Sequence, residues 1–215
     1  MGCNRALACL LLPLFVACSG IPQLRPAPGD DSSAHPEQCS APFLEKGWRL
    51  VHSISGSFPG GGGTTMIGVT EALPSSGRLR CVLMSVEGLV LCDATYDGKL
   101  VILRGIGPFS NPDMVMGMVR DIRFMLFAPA GVPAEIGLAR GRQTCRYRSG
   151  GDVTDISPAP DGTVDVVSYS GERKSRTARF VRIRGDGLPG GIELEAHGAI
   201  GYSLLLDLIE AEPLR

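Results

Sequence analysis

From residue 48 onward, apolar and polar side chains alternate with period two in short runs, and clusters of Gly, Pro, Asp and Ser separate the runs. That is the pattern of half-buried antiparallel strands. It predicts strands at Trp48–Ser57, Thr64–Ala72, Arg78–Met84, Leu89–Thr95, Lys99–Arg104, Arg142–Arg148, Thr163–Ser170, Thr177–Arg184, Gly191–Ala196 and Tyr202–Glu210. So many strands need their edges closed or covered. The expected fold is therefore mainly β: a curved antiparallel sheet or an unclosed β-barrel. One segment departs from the rhythm. Asn111-Pro112-Asp113 offers an N-cap, a proline at the first helical position and an early acid. Val115, Met118, Val119, Ile122, Met125 and Leu126 then recur at three- and four-residue spacing, with Arg120, Asp121 and Arg123 assigned to the opposite side and Pro129 as the stop. This predicts one long amphipathic helix covering the sheet. Its methionine-rich stripe suits either core packing or the soft wall of an acyl-binding cavity.

The turn around Val86-Glu87 bears on the cysteines. A loop of two residues (Val86-Glu87) or four (Ser85 to Gly88) gives the same register, with Arg80 opposite Asp93 and Cys81 opposite Cys92. That register favours a Cys81–Cys92 disulfide, which leaves Cys39 for Cys145. A type I′ turn at Glu87-Gly88 would shift the pairing by two and separate Cys81 from Cys92. Near the tip both strand faces are apolar, with Leu83 and Val90 on one and Val82, Met84, Leu89 and Leu91 on the other.

The N-terminal end reads as an address. Residues 1–17 carry one charge, Arg5, and an apolar run too short to cross a bilayer, as expected of a signal peptide. Leu14-Phe15-Val16-Ala17-Cys18 resembles the lipobox of bacterial lipoprotein precursors, which implies cleavage before Cys18 and acylation of that residue as a membrane anchor. Ser19 stands where retained inner-membrane lipoproteins often carry Asp, so the resemblance implies the periplasmic side of the outer membrane. Residues 18–41, proline-rich and without aromatic residues, read as a lipidated tether, and 42–215 as one folded domain. Seven cysteines looked many for a chain of 215 residues, but Cys3 and Cys9 leave with the signal and Cys18 takes the anchor. The remaining four are even in number, which fits an oxidising compartment.

Composition excludes two classes. With 44% hydrophobic and only 20% charged residues the chain has enough apolar surface to fold, and a net charge of −1 gives no general attraction to nucleic acid. A local basic excess does exist at Arg140, Arg142, Arg146 and Arg148 and at Arg173, Lys174, Arg176, Arg179, Arg182 and Arg184. Even spacing makes this a solvated strand face, or a surface for anionic headgroups or an acidic partner. Catalytic motifs fail inspection. Gly60 to Gly63 lacks the Lys-Ser/Thr ending of a phosphate-binding loop, and Gly201-Tyr202-Ser203 is half of a nucleophile elbow in a strand. His35, His52 and His197 are dispersed, and Glu193, Glu195 and His197 alternate as a solvated strand face does. No catalytic residue, metal or cofactor is expected.

The order of lipobox, tether, short helical segment Phe43-Leu44-Glu45-Lys46, strand meander, amphipathic helix and further strands resembles the LolA/LolB-like superfamily. The stretch Gly77-Arg78-Leu79-Arg80-Cys81-Val82-Leu83, then Gly88-Leu89-Val90-Leu91 and the turn Tyr96-Asp97-Gly98, is similar to that family's central strands. The resemblance spans roughly residues 43 to 212. It implies an unclosed barrel capped by helices whose apolar interior receives acyl chains of lipoproteins or lipids, delivered by a periplasmic carrier protein. It implies a binding monomer and no enzyme. The expected pocket residues are Leu79, Leu83 and Val90 from the hairpin and Met118, Ile122, Met125 and Leu126 from the helix. The family's protruding hydrophobic loop corresponds to Ser85-Val86-Glu87-Gly88, where Val86 is the only aliphatic residue. The alternative is a structural or interaction lipoprotein with a filled core and a basic docking face.

Overall fold

The structure, a computed structural model, describes residues 20–26, 39, 42–57, 62–198 and 201–214. Cys18 and the signal segment lie outside the described residues, as do the glycines 60 and 61. Five strands come first: β1 (Trp48–Ser57), β2 (Gly63–Leu73), β3 (Arg78–Ser85), β4 (Val90–Tyr96) and β5 (Leu100–Gly105). The helix α1 (Pro112–Leu126) follows. Seven more strands complete the fold: β6 (Glu135–Ala139), β7 (Arg142–Ser149), β8 (Asp152–Pro158), β9 (Val164–Ser170), β10 (Arg173–Ile183), β11 (Pro189–Ala196) and β12 (Tyr202–Pro213). They form one antiparallel sheet in the order β5-β4-β3-β2-β1-β12-β11-β10-β9-β8-β7-β6. Two meanders therefore meet where β12 pairs with β1, and β5 and β6 are left as edges. The sheet is not closed into a barrel.

The helix begins and ends as the sequence demands. The Asn111 side chain accepts from the Asp113 N–H at 2.9 Å, Pro112 occupies the first turn, and the Leu44 N–H reaches back to the Leu126 carbonyl at 2.9 Å. Val115 and Val119 are fully buried with Phe180, Ile156, Ile192, Leu194 and Val166, and Phe43 meets Phe180 edge to face at 6.2 Å. That cluster is the core. Arg123 reaches across to the Gly77 carbonyl at 2.8 Å while stacking over Tyr96 and Phe127, so α1 is tied to the β2–β3 connection as well.

Several expectations are corrected. Residues 43–46 form bends, not a helical segment. Two strands were missed. β6 has only five residues between Gly- and Pro-rich segments, and β8 buries an acid, Asp155, which breaks its apolar alternation. Asp155 is the cross-strand partner of Arg146 and receives two hydrogen bonds from it at 2.7 Å, with both residues buried. Arg146 thus does not belong to a solvated face. The segment 18–41 is also not wholly an extended tether. Arg25 forms an antiparallel bridge with Leu138 on β6, while the expected disulfide from Cys39 to Cys145 on β7 is present.

The β3–β4 register differs from the expected one by two. A three-residue loop, Val86 to Gly88, with Gly88 at a φ of 88°, sets Ser85 against Leu89, and a bulge after Leu83 adds a further residue on β4. Cys81 therefore faces Ala94, Cys92 faces Leu83, and both thiols are free and buried. The Arg80–Asp93 pair still forms, as a diagonal bidentate contact at 3.1 and 3.3 Å.

Candidate functional site

The helix presents two adjacent stripes to the sheet. Val115, Val119 and Leu126 pack flush into the core, while Met114, Gly117, Met118, Ile122 and Met125 overhang a cavity of about 340 Å³. The opposite wall comes from alternate positions of neighbouring strands: His52 and Ile54 on β1, Met66, Gly68 and Thr70 on β2, Cys81 and Leu83 on β3, and Leu204 and Leu206 on β12. Gly68 helps make the space, since a Cβ there would stand 2.6 Å from the Ile54 side chain. The volume lies at the low end of the ~300–1,000 Å³ typical of ligand pockets. Phe109 and Met114 stand at the end where the β5–α1 connection enters the helix, and Met114 is solvent-exposed there.

One wall is polar. Asp121, only 4% exposed, accepts from the Arg176 guanidinium of β10 and from the Tyr202 hydroxyl of β12. Burial and the Asp121 carboxylate push the Tyr202 phenol up, so it stays a hydrogen-bond donor. The three side chains pin α1 to the C-terminal half of the sheet and place a charged pair beside an otherwise apolar space. His52 is buried, and desolvation lowers its pKa to about 4, so the imidazole is neutral at pH 7. The Cys81 thiol is pushed up to about 12 by burial and points its S–H at the Ala94 carbonyl, which makes it inert. Among the described residues, no group of three or more His, Cys, Asp or Glu is gathered to hold a metal.

Of the expected pocket residues, Leu83, Met118, Ile122 and Met125 line this cavity. Leu79 and Leu126 are buried in the core instead, and Val90, half-buried at the start of β4 opposite Met84, is not part of the wall. Asp121 was assigned to the outer side of the helix and is buried. Its position was legible, because it stands three residues after Met118 and four before Met125, on the same stripe.

No family model matches the chain, and no curated protein matches it. The chain is similar to a solved structure, that of the LolA superfamily protein NE2245 from Nitrosomonas europaea. The TM-score is 0.44 and the identity 15%, over 84% of this chain and 92% of that one.

The basic excess is mostly neutralised within the fold. Arg142 and Arg179 share Asp165, Arg148 pairs with Glu135 at 2.7 Å, Arg182 with Asp207, Arg184 with Asp186 at 3.1 Å, Arg146 with Asp155 and Arg176 with Asp121. A docking face needs charge left over for a partner, and internal pairing of these arginines removes much of it.

Proposed function

We propose that the protein binds an acyl chain of a lipid or lipoprotein in the cavity beneath α1, as a lipoprotein anchored through Cys18 on the periplasmic side of the outer membrane. It holds or passes on that chain without covalent chemistry. The observation that carries the reading is the overhang of α1: a flexible, methionine-rich helix face stands away from a mostly apolar wall of β1, β2, β3 and β12 while its neighbouring stripe is packed flush. A folded core normally closes such a gap, because interiors pack near the density of organic crystals. Unfilled apolar volume forfeits dispersion contacts, and an alkyl chain restores them. The Asp121–Arg176–Tyr202 group offers a polar boundary at which a headgroup or amide can stop.

The test is direct. The unlipidated domain, purified and extracted with organic solvent, is expected to release lipid detectable by mass spectrometry, and the delipidated protein to bind a fluorescent fatty acid that palmitate displaces. A protein that carries no lipid and binds no probe has no acyl site. Membrane anchorage is tested separately: Cys18→Ala should move the full chain from the membrane pellet to the soluble fraction.

A further inference from the structure

Residues 20–26 lie far in sequence from β6, yet the structure seats them on its free edge. The Arg25 N–H donates to the Leu138 carbonyl at 2.9 Å and the Leu138 N–H donates to the Arg25 carbonyl at 2.8 Å, the reciprocal pair of an antiparallel bridge. A second anchor point is buried. Arg146, already held by Asp155, donates its remaining Nη2 bond to the Pro22 carbonyl at 2.8 Å. A third is steric. A Cβ on Gly137 would meet the Arg25 carbonyl oxygen at 2.6 Å and the Leu24 Cβ at 3.2 Å, and its three nearest atoms all belong to this segment. The strand edge therefore carries a hydrogen-bond register, a buried guanidinium and a vacant side-chain position, all fitted to one short extended stretch of the same chain.

We infer that the β6 edge is a docking site for Ile21–Arg25, and that seating or releasing this segment sets how far the domain stands from the membrane. The second half of the inference rests on the reading of Cys18 as the lipid anchor. With the segment seated, two residues, Ser19 and Gly20, separate Cys18 from Ile21, a span of at most ~10 Å. With it released, the next contact along the chain among the described residues is the Cys39–Cys145 disulfide. The 21 residue steps from Cys18 to Cys39 allow a reach of at most ~70 Å, against ~10 Å with the segment seated. One weak strand pairing thus switches the domain between lying against the bilayer and reaching away from it. The disulfide keeps the released segment close enough to reseat.

Two variants attack the contact from opposite sides. Gly137→Ala crowds the segment from the strand, and Arg25→Pro removes the donated N–H from the segment, with the rest of the sheet untouched by either. In the full chain carrying Cys18→Ala, amide exchange at Leu138 followed by NMR should be at least tenfold faster in both variants, with exchange in β7 and β8 unchanged. Unchanged protection at Leu138 would overturn the docking site. For the reach, the lipidated protein is placed in phosphatidylethanolamine–phosphatidylglycerol vesicles carrying dansyl headgroups, and energy transfer is read from Trp48, the sole tryptophan. Both variants should show less transfer than the wild type. Equal transfer would overturn the distance switch while leaving the docking result standing. A wild type that fails to associate with vesicles would overturn the anchor and the switch together, without altering the exchange result.

Discussion

A buried imidazole such as His52 makes the protein sensitive to acid in a direction that can be fixed in advance. Burial lowers its pKa from 6.5 to about 4, and the attraction of Asp207 offsets this only in part. In the unfolded chain the same group takes up a proton near pH 6.5, so the unfolded state binds more protons between pH 6.5 and 4. Stability from this group is therefore fully present above pH 6.5 and is lost as pH falls through 4, by about 3 kcal/mol in all. Urea unfolding of the wild type and His52→Leu at pH 7, 5.5 and 4 should show the wild type losing that much more stability across the range. Parallel pH dependence in the two proteins would show that His52 does not titrate as its burial requires. The imidazole lines the cavity, so bound apolar ligand should depress its titration further.

At the scale of the element, α1 combines one face of core and one of cavity, and Gly117 marks the border. It lines the cavity, and a Cβ built on it meets nothing within 4 Å. Gly117→Phe should therefore place a side chain into ligand space from a Cβ that meets nothing, and replacing a mid-helix glycine relieves up to ~1 kcal/mol of helix cost. The expected outcome is fatty-acid affinity lowered at least tenfold, with an unfolding midpoint equal to or above that of the wild type. Retained affinity would place the ligand elsewhere. The helix itself was legible because its cap, its stop and its 3.6-residue stripe agree. So were the strands whose faces differ cleanly, such as β1 and β10. What resisted reading was set by how strands pair. β8 hides behind a buried Arg146–Asp155 pair, and the β3–β4 register depends on a three-residue loop together with a bulge after Leu83. Four of the seven expected pocket residues, Leu83, Met118, Ile122 and Met125, line the cavity beneath α1, three of them from the helix stripe. Val90 was placed by a hairpin register that the loop and the bulge alter, whereas Leu79 keeps the face it shares with Cys81 and Leu83 in either register and is buried in the core.

Across the whole molecule, one covalent link ties the start of the first meander to the far edge of the second. Cys39 and Cys145 are 106 residues apart, and the chain between them contains β1 to β6 and α1. Closing so long a loop removes much of the unfolded chain's freedom, which in the chain-entropy account is worth about 4–5 kcal/mol, with measured losses for native bridges of ~2–5 kcal/mol. The Cys39→Ser, Cys145→Ser double variant should lower the urea midpoint by an amount corresponding to that range, and an unchanged midpoint would show that the bridge restrains nothing the sheet does not already restrain. The cavity is built from β1–β3, β10, β12 and α1, with neither half of the disulfide among its walls. Ligand that binds only the folded state raises stability by an amount set by its concentration and affinity alone. Saturating palmitate should therefore raise the midpoint of the double variant and of the wild type by the same increment. A smaller increment in the variant would mean that the bridge, through the strands it crosslinks, holds the helix at its standing distance from the sheet.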